Sequence, residues 1–158
     1  NLIKKYCVHF EILRGRKAKS GMLVPTNYDF WEPLLSYFIK KCTNFRIDCW
    51  IDEKEAIERA EVFGKVYDTA IDNMKVFKGE ITDEFTQELI YNPFDEEGKI
   101  KWFSIFLMDG DRHIFSAEHY GREFAAECLT EEEVEYIRSI VPEGFNFHVY
   151  DKTENEMI

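Results

Sequence analysis

One segment of the chain brings carboxylates and imidazoles close together in sequence. It runs from Asp109 through Asp111 and His113 to Glu118 and His119. Carboxylates and imidazoles together bind divalent metal ions or work as a general acid and base. The segment therefore carries the enzymatic hypothesis for this chain, a small metal-dependent hydrolase that uses Asp111, His113, Glu118 and His119.

The spacing within this segment argues against a single site. Asp109-Gly110 is the strongest hairpin signal in the chain, and Asp is favoured in such turns for its geometry alone. On a regular strand His113 and His119 share a face but lie about 20 Å apart, so one metal ion reaches both only across a bulge. We therefore expect a turn here, with the hydrolase as the alternative.

No other motif indicates a chemistry. The chain lacks GxSxG, HExxH, a phosphate-binding glycine loop and a dinucleotide fingerprint. The four cysteines are scattered without metal-ligand spacing and are expected to be reduced thiols: Cys7, Cys42, Cys49 and Cys128. His9 and His148 lie in strand-like runs and are expected to be core or sheet-face histidines. We expect no cofactor and no metal, and a protein that is not an enzyme.

The charge of the chain is divided unevenly along its length. Residues 1–51 carry nine Lys and Arg against four Asp and Glu, whereas residues 52–158 carry eleven against twenty-seven, within a net charge of −11. An acidic surface repels nucleic acid and anionic membranes and attracts basic proteins. No stretch has the length of a membrane-spanning helix, and the first residues do not form an apolar signal region, so we expect a cytoplasmic protein.

The acidic residues and nearby aromatic residues predict a partner-binding face. Carboxylates steer the encounter with a basic partner, and aromatic side chains supply most of the affinity once the surfaces meet. The predicted set comprises Asp83, Glu84, Glu88, Tyr91, Phe94, Asp95, Glu96, Glu97, Asp109, Asp111 and Tyr120. Within it, charge reversal of Asp95, Glu96 and Glu97 is predicted to slow association.

Helical and strand patterns alternate in the first half of the chain. Residues 2–14, 44–51 and 75–81 are predicted strands, and residues 30–42 form a predicted helix that begins at Asp29 as N-cap. Asp52 is the predicted cap of a second helix, whose apolar stripe continues from Ala56 to Met74. Gly64 and its β-branched neighbours weaken that helix, so a shorter helix followed by a strand is the alternative.

The second half predicts a cluster of strands followed by a helix. Residues 99–108 and 112–120 form a hairpin, and 122–129 is a third antiparallel strand or a turn of helix. Thr82 caps a short helix and Thr130 a longer one, before a last strand at 145–150. We predict one α+β domain over residues 1–158, with mixed α/β as the alternative. It has a single sheet of five or six mostly antiparallel strands, helices mainly on one face, and a frayed tail from about residue 151.

The whole chain resembles the small acidic immunity proteins of bacterial polymorphic-toxin and contact-dependent inhibition systems. The resemblance covers size, acidity, α+β patterning, aromatic content and the absence of catalytic motifs. It implies a single-domain protein that binds a cognate, often basic, toxin domain and blocks its active site or an adjacent surface. We expect a monomer or a small homo-oligomer. A structural or regulatory subunit of a larger assembly is a further alternative.

Overall fold

The computed structural model describes residues 3–69 and 71–152, which form ten strands and four helices. The strands are β1 (Tyr6–Ile12), β2 (Arg16–Lys17), β3 (Leu23–Val24), β4 (Asn44–Trp50), β5 (Lys65–Tyr67), β6 (Met74–Glu80), β7 (Ser104–Asp109), β8 (Arg112–Glu118), β9 (Glu123–Leu129) and β10 (Phe145–Asp151). The helices are α1 (Trp31–Ile39), α2 (Lys54–Phe63), α3 (Asp83–Tyr91) and α4 (Glu131–Ile140).

Eight strands form one antiparallel sheet in the order β10-β1-β9-β8-β7-β4-β6-β5. The predicted α+β class is confirmed, but the predicted count of five or six strands is wrong. Two segments account for the difference. Residues 123–129 form a strand rather than a turn of helix, and α2 ends at Phe63, so the following residues pair with β6 as β5.

Helix ends follow the local sequence signals at two of the four helices. Thr130 and Glu133 form a reciprocal capping box at α4, and the Thr82 hydroxyl accepts from the Phe85 N–H at α3, as predicted. The predicted caps Asp29 and Asp52 are wrong, because α1 and α2 each begin one residue later without a side-chain cap. The predicted strand at 99–108 also begins later, at Ser104.

The core lies on one face of the sheet, beneath the helices. Strand pairing places a continuous apolar row across that face: Phe10, Phe124, Ala117, Ile105, Ile47 and Phe77. Buried residues of all four helices join the same cluster, among them Leu34, Ala60, Leu89 and Ile137. Side chains alternate between the two faces of a strand, so the intervening residues point away from this core.

The opposite face of the sheet is polar and mostly half-buried. We call it the polar face, and two adjacent rows define it. One row is His148, His9, Ala125, Ser116, Phe106 and Arg46, and the other is Asn146, Glu11, Glu123, Glu118, Ser104 and Asp48. His9 and His148 are therefore sheet-face histidines on neighbouring strands. One-sided sheets of this kind are typical of antiparallel architectures.

The remaining sequence predictions have mixed outcomes. All four cysteines are free thiols, and burial raises the pKa of Cys42 and of Cys49 to about 12, so both stay protonated at neutral pH. Asp151 pairs with Tyr6 at the end of β10, and the Lys152 N–H donates to the Lys5 carbonyl at 2.9 Å. The rest of the predicted frayed tail, residues 153–158, lies outside the described residues. Among the described residues, no helix is long and apolar enough to cross a membrane.

Candidate functional site

Helix α2 presents a row of carboxylates to solvent. Its buried side chains face β4 and β6, and its exposed side carries acidic residues at a spacing of three. We call this row the acidic stripe: Asp52, in the turn just before the helix, and Glu55, Glu58 and Glu61 on the helix itself. Within residues 3–69 and 71–152, none of the four forms an ion pair, so their charge is available to a partner.

Two adjoining hollows open at the N-terminal end of the acidic stripe. The first, of about 480 Å³, lies between the first turns of α2 and the loop that carries Phe94 and Asp95. The second, of about 490 Å³, lies between Trp50 and Tyr120. Asp52 and Glu53 line both, so the hollows form one acidic groove with aromatic walls, which we call the acidic groove.

Tyr120 is held in place as one wall of this groove. Its hydroxyl donates to Glu53 Oε2 at 2.9 Å, while the Trp50 N–H donates to Glu53 Oε1 at 2.7 Å. Burial and the neighbouring Glu53 carboxylate raise the pKa of Tyr120, so the hydroxyl remains a donor at neutral pH. Its ring packs edge-on against Phe103 at 5.2 Å. The aromatic wall is thus already formed without a partner.

The predicted acids of the loop before β7 have mainly structural roles. Asp95 Oδ1 accepts from the backbone N–H groups of Glu97 and Lys99, and its other oxygen pairs with the Lys99 ammonium. Glu97 accepts from the Ser20 N–H at 2.7 Å, which lowers the pKa of Glu97. Glu96 is the exposed acid of the three. Reversing all three charges would therefore disrupt the loop as well as its surface.

Glu88 does not belong to an exposed face. It is buried with 7% of its surface accessible and pairs with Arg59 and Lys101, while Asn92 donates to it. Burial alone would raise the pKa of this carboxyl, but the hydrogen bonds from Arg59 and Lys101 outweigh it and hold the pKa at about 2. The structure therefore does not place Glu88 on the exposed face where it was predicted, because its carboxylate is buried and paired inside the protein.

The predicted set divides between the two ends of the sheet. Trp50, at the end of β4, lines the acidic groove, whereas Asn44, at its start, contacts Gly110 at the hairpin tip. A seven-residue strand spans about 20 Å, so the two ends do not form one contact surface. Phe94, Asp95, Glu96 and Tyr120 lie at the groove end, as does Tyr91, which is 60% exposed. At the other end are Asp83, Glu84, Asp109 and Asp111.

The four residues of the hydrolase hypothesis are likewise not brought together. Asp111 and His113 lie at the hairpin end of β8, with His113 packed edge-on against the Phe106 ring at 5.4 Å. Glu118 and His119 lie at the other end, and Glu118 accepts from the Ser116 hydroxyl at 2.9 Å. The pairing of β8 with β7 shifts register between His113 and Phe115, yet among the described residues these four side chains do not form a group with metal-ligand spacing.

A cluster that the sequence did not suggest lies on the polar face. Glu123 Oε2 is 2.8 Å from His9 Nε2, and Glu123 Oε1 is 3.0 Å from His119 Nδ1. The hydrogen bond to His9, together with the charge of His119, lowers the pKa of Glu123. Glu11 lies directly opposite Glu123 on the neighbouring strand. Because 114 residues separate His9 from Glu123, only the pairing of β1 with β9 reveals the cluster.

Comparisons with family models, with curated proteins and with solved structures found no match to this chain. The geometry therefore defines a class of protein by itself. It is an α+β protein with four helices against one face of an antiparallel sheet, an acidic groove at one end and a histidine–carboxylate cluster on the polar face.

Proposed function

We propose that this chain is an acidic protein-binding module that binds a basic protein through the acidic stripe and the acidic groove. The observation that carries the proposal is the position of the unpaired stripe carboxylates beside a preformed groove with aromatic walls. Its most specific form is an immunity protein that neutralises a cognate toxin domain, as the resemblance described above implies.

The charges of the site favour a basic partner. Of the three cations that line the first hollow, Arg59 and Lys101 pair with Glu88, whereas Lys54 is exposed beside the stripe carboxylates; Lys99, in the neighbouring loop, pairs with Asp95. The stripe carboxylates have no such partner among the described residues. They therefore present a net negative field that accelerates encounter with Lys- and Arg-rich surfaces, an effect that salt weakens.

The aromatic side chains of the groove supply the second element of a protein-binding site. Phe94 is 43% exposed, and Ile51 and Val62, at the two ends of the stripe, are 51% and 61% exposed. Apolar side chains beside charges are typical of interface hot spots, where desolvation supplies affinity and charges supply orientation. A basic side chain entering the groove would contact carboxylates and aromatic rings together.

Inhibition of a toxin requires binding but no catalysis by this chain. A toxin domain that acts on nucleic acid presents Lys and Arg to the phosphates of its substrate. Carboxylates on a rigid helix take the place of those phosphates, so a bound acidic module blocks access to the active site. The acidic stripe, carried on α2 and preformed, is suited to this role.

The proposal is tested by capture of a partner from a lysate of the source cells. The bait is the full chain, at low salt and at about 0.5 M salt, where exposed-charge attraction is heavily screened. We expect a stoichiometric basic partner, weakened at high salt, and lost from a variant with Glu55→Lys, Glu58→Lys and Glu61→Lys. The captured protein is then assayed for toxicity and for inhibition at a 1:1 ratio.

A matched variant carries Glu131→Lys, Glu132→Lys and Glu143→Lys, which change the net charge equally at exposed positions elsewhere. It should retain the partner. Equal loss in both variants would show that only bulk charge matters and would remove the stripe from the interface. Absence of a specific partner at either salt concentration would contradict the binding proposal. A partner that lacks toxicity would identify a regulatory subunit instead.

A further inference from the structure

We infer that His9, Glu11 and Glu123 form a binding site for a divalent transition-metal ion on the polar face of the sheet. One ligand atom from each side chain lies within 4.8 Å of the other two. An imidazole nitrogen together with carboxylate oxygens suits Zn²⁺, Co²⁺ and related ions rather than Mg²⁺, which prefers oxygen ligands alone. This inference does not depend on the proposed partner binding.

The strand pairing aims the three ligands at one point. His9 and Glu11 are two residues apart on β1, so both side chains leave the same face, and Glu123 stands opposite Glu11 on β9. Cross-strand side chains have Cβ atoms about 5 Å apart, which is the separation that a shared ion requires. The site therefore rests on two hydrogen-bonded strands rather than on a loop.

The arrangement of charges at this point favours a cation. Glu11 and Glu123 are directly opposed carboxylates, and like charges in that position destabilise a sheet. Among the described residues, the Glu11 carboxylate has no hydrogen-bond or ion-pair partner. Arg122 lines the same small hollow but directs its Nε to the Leu23 carbonyl at 2.7 Å. A bound cation would bridge the two carboxylates.

Neighbouring groups already orient the ligands. His119 holds the second oxygen of Glu123 at 3.0 Å, as outer-shell partners of metal-binding carboxylates commonly do. His119 has a positive φ of 54° in the turn between β8 and β9, where Tyr120 and Gly121 also have positive φ, and its ring contacts Glu123 from this turn. We assign His119 as a positioning residue. The hollow of about 120 Å³ beside the cluster leaves room for water ligands to complete the coordination.

The test is calorimetric titration of the chelator-treated full chain with Zn²⁺, and then with Mg²⁺. We expect one Zn²⁺ per chain and no response to Mg²⁺. Glu11→Gln and Glu123→Gln should each weaken Zn²⁺ binding at least tenfold, whereas His113→Ala, a distant histidine on β8, should leave it unchanged. His119→Ala should weaken binding less than either Gln variant, because it removes only an orienting contact.

Thiols are the competing ligands for Zn²⁺, since Cys7 lies two residues before His9 on β1 and beside Cys128. The variant Cys7→Ser/Cys128→Ser distinguishes Zn²⁺ bound by these thiols from Zn²⁺ bound at the proposed site. Retention of the single Zn²⁺ in this variant supports the site. Loss of Zn²⁺ there, or its retention in Glu11→Gln, would overturn the proposal, as would the absence of saturable binding to the wild-type chain.

Thermal unfolding tests the proposal independently of the calorimetric titration. Without metal, Glu11→Gln should unfold at a higher temperature than the wild-type chain, because it removes the opposed charge. At the same Zn²⁺ concentration, the Tm of the wild-type chain should rise by more than that of the variant. A Zn²⁺-induced rise of equal size in both proteins would place the ion elsewhere.

Discussion

Among single residues, Glu88 shows why an acidic residue in a sequence does not indicate a surface charge. It follows two exposed acids, Asp83 and Glu84, on the same short helix, yet its side chain is buried between Arg59 and Lys101. Its partners lie 29 and 13 residues away. The ion pairs link α2, α3 and the loop before β7, so this carboxylate fixes the wall of the acidic groove from inside.

Glu88→Gln is expected to lower the free energy of unfolding by about 3 kcal/mol at neutral pH, because it leaves two cations without their buried counter-charge. The folded pKa of about 2 lies below the ordinary value of 4.5. The stabilisation is therefore complete above pH 4.5 and is lost as the pH falls toward 2. Urea denaturation between pH 7 and pH 3 measures both effects.

The wild-type chain should lose stability over this acid range more steeply than the variant. Glu96→Gln, in the exposed loop next to the groove, is the control and should change the unfolding free energy by less than about 0.5 kcal/mol. If the unfolding free energies of the wild type and of Glu88→Gln decreased in parallel as the pH falls, that result would contradict the assignment of this ion pair.

At the level of secondary-structure elements, the N-caps provide a comparison within one chain. Thr130 is buried and completes a reciprocal box with Glu133, whose carboxylate also accepts from the Tyr37 hydroxyl at 2.6 Å and pairs with Lys41. Thr82 makes a single cap bond and is exposed. The Thr130 cap therefore joins α4 to α1, whereas the Thr82 cap serves α3 alone.

Thr130→Ala should cost about 1–2 kcal/mol of unfolding free energy, and Thr82→Ala about 0.5 kcal/mol, within the usual range for lost caps. The larger cost at Thr130 arises because Glu133 loses its reciprocal partner at the start of α4. Urea midpoints of the two variants measure the difference. Equal midpoints would show that the contacts of Glu133 with α1 hold the helix without the cap.

The elements that the sequence predicted well are those with signals inside the element. The capping box of α4, the Asp109-Gly110 hairpin and the alternating strand at 44–51 are local patterns, and all three are confirmed. The end of α2 was ambiguous because its apolar stripe continues through β5 with similar spacing. There, pairing with β6 rather than local preference decides the structure.

The candidate sites were predicted only in part for the same reason. Phe94, Asp95 and Tyr120 were predicted and do line the acidic groove, but the stripe on α2 was not singled out, although its spacing of three is visible in the sequence. The histidine–carboxylate cluster depends on β1 pairing with β9, more than a hundred residues away. No local pattern reports such a pairing, so that site could be found only in the folded chain.

In the molecule as a whole, helices α2 and α4 differ in where their acidic residues lie relative to the helix N-terminus. In α4 the acids Glu131 and Glu132 stand in the first turn, where the helix dipole favours negative charge. In α2 the acidic stripe continues beyond the first turn to Glu58 and Glu61, where like charges three apart repel. We expect this repulsion to cost some stability, in line with the proposal that the charge is retained for a partner.

Neutralising the two regions should accordingly have opposite effects on stability. Glu58→Gln/Glu61→Gln is expected to raise the unfolding free energy by about 0.5 kcal/mol at low salt, because it removes repulsion along α2. Glu131→Gln/Glu132→Gln should lower it by about 0.5–1 kcal/mol, because it removes favourable charge from the first turn of α4. Urea midpoints at low salt measure both effects. At about 0.5 M salt both effects are screened, so the midpoints of the two variants should lie closer to the wild-type midpoint. A loss of stability in the α2 variant would mean that its carboxylates contribute to folding, which would weaken the argument that they are retained for a partner.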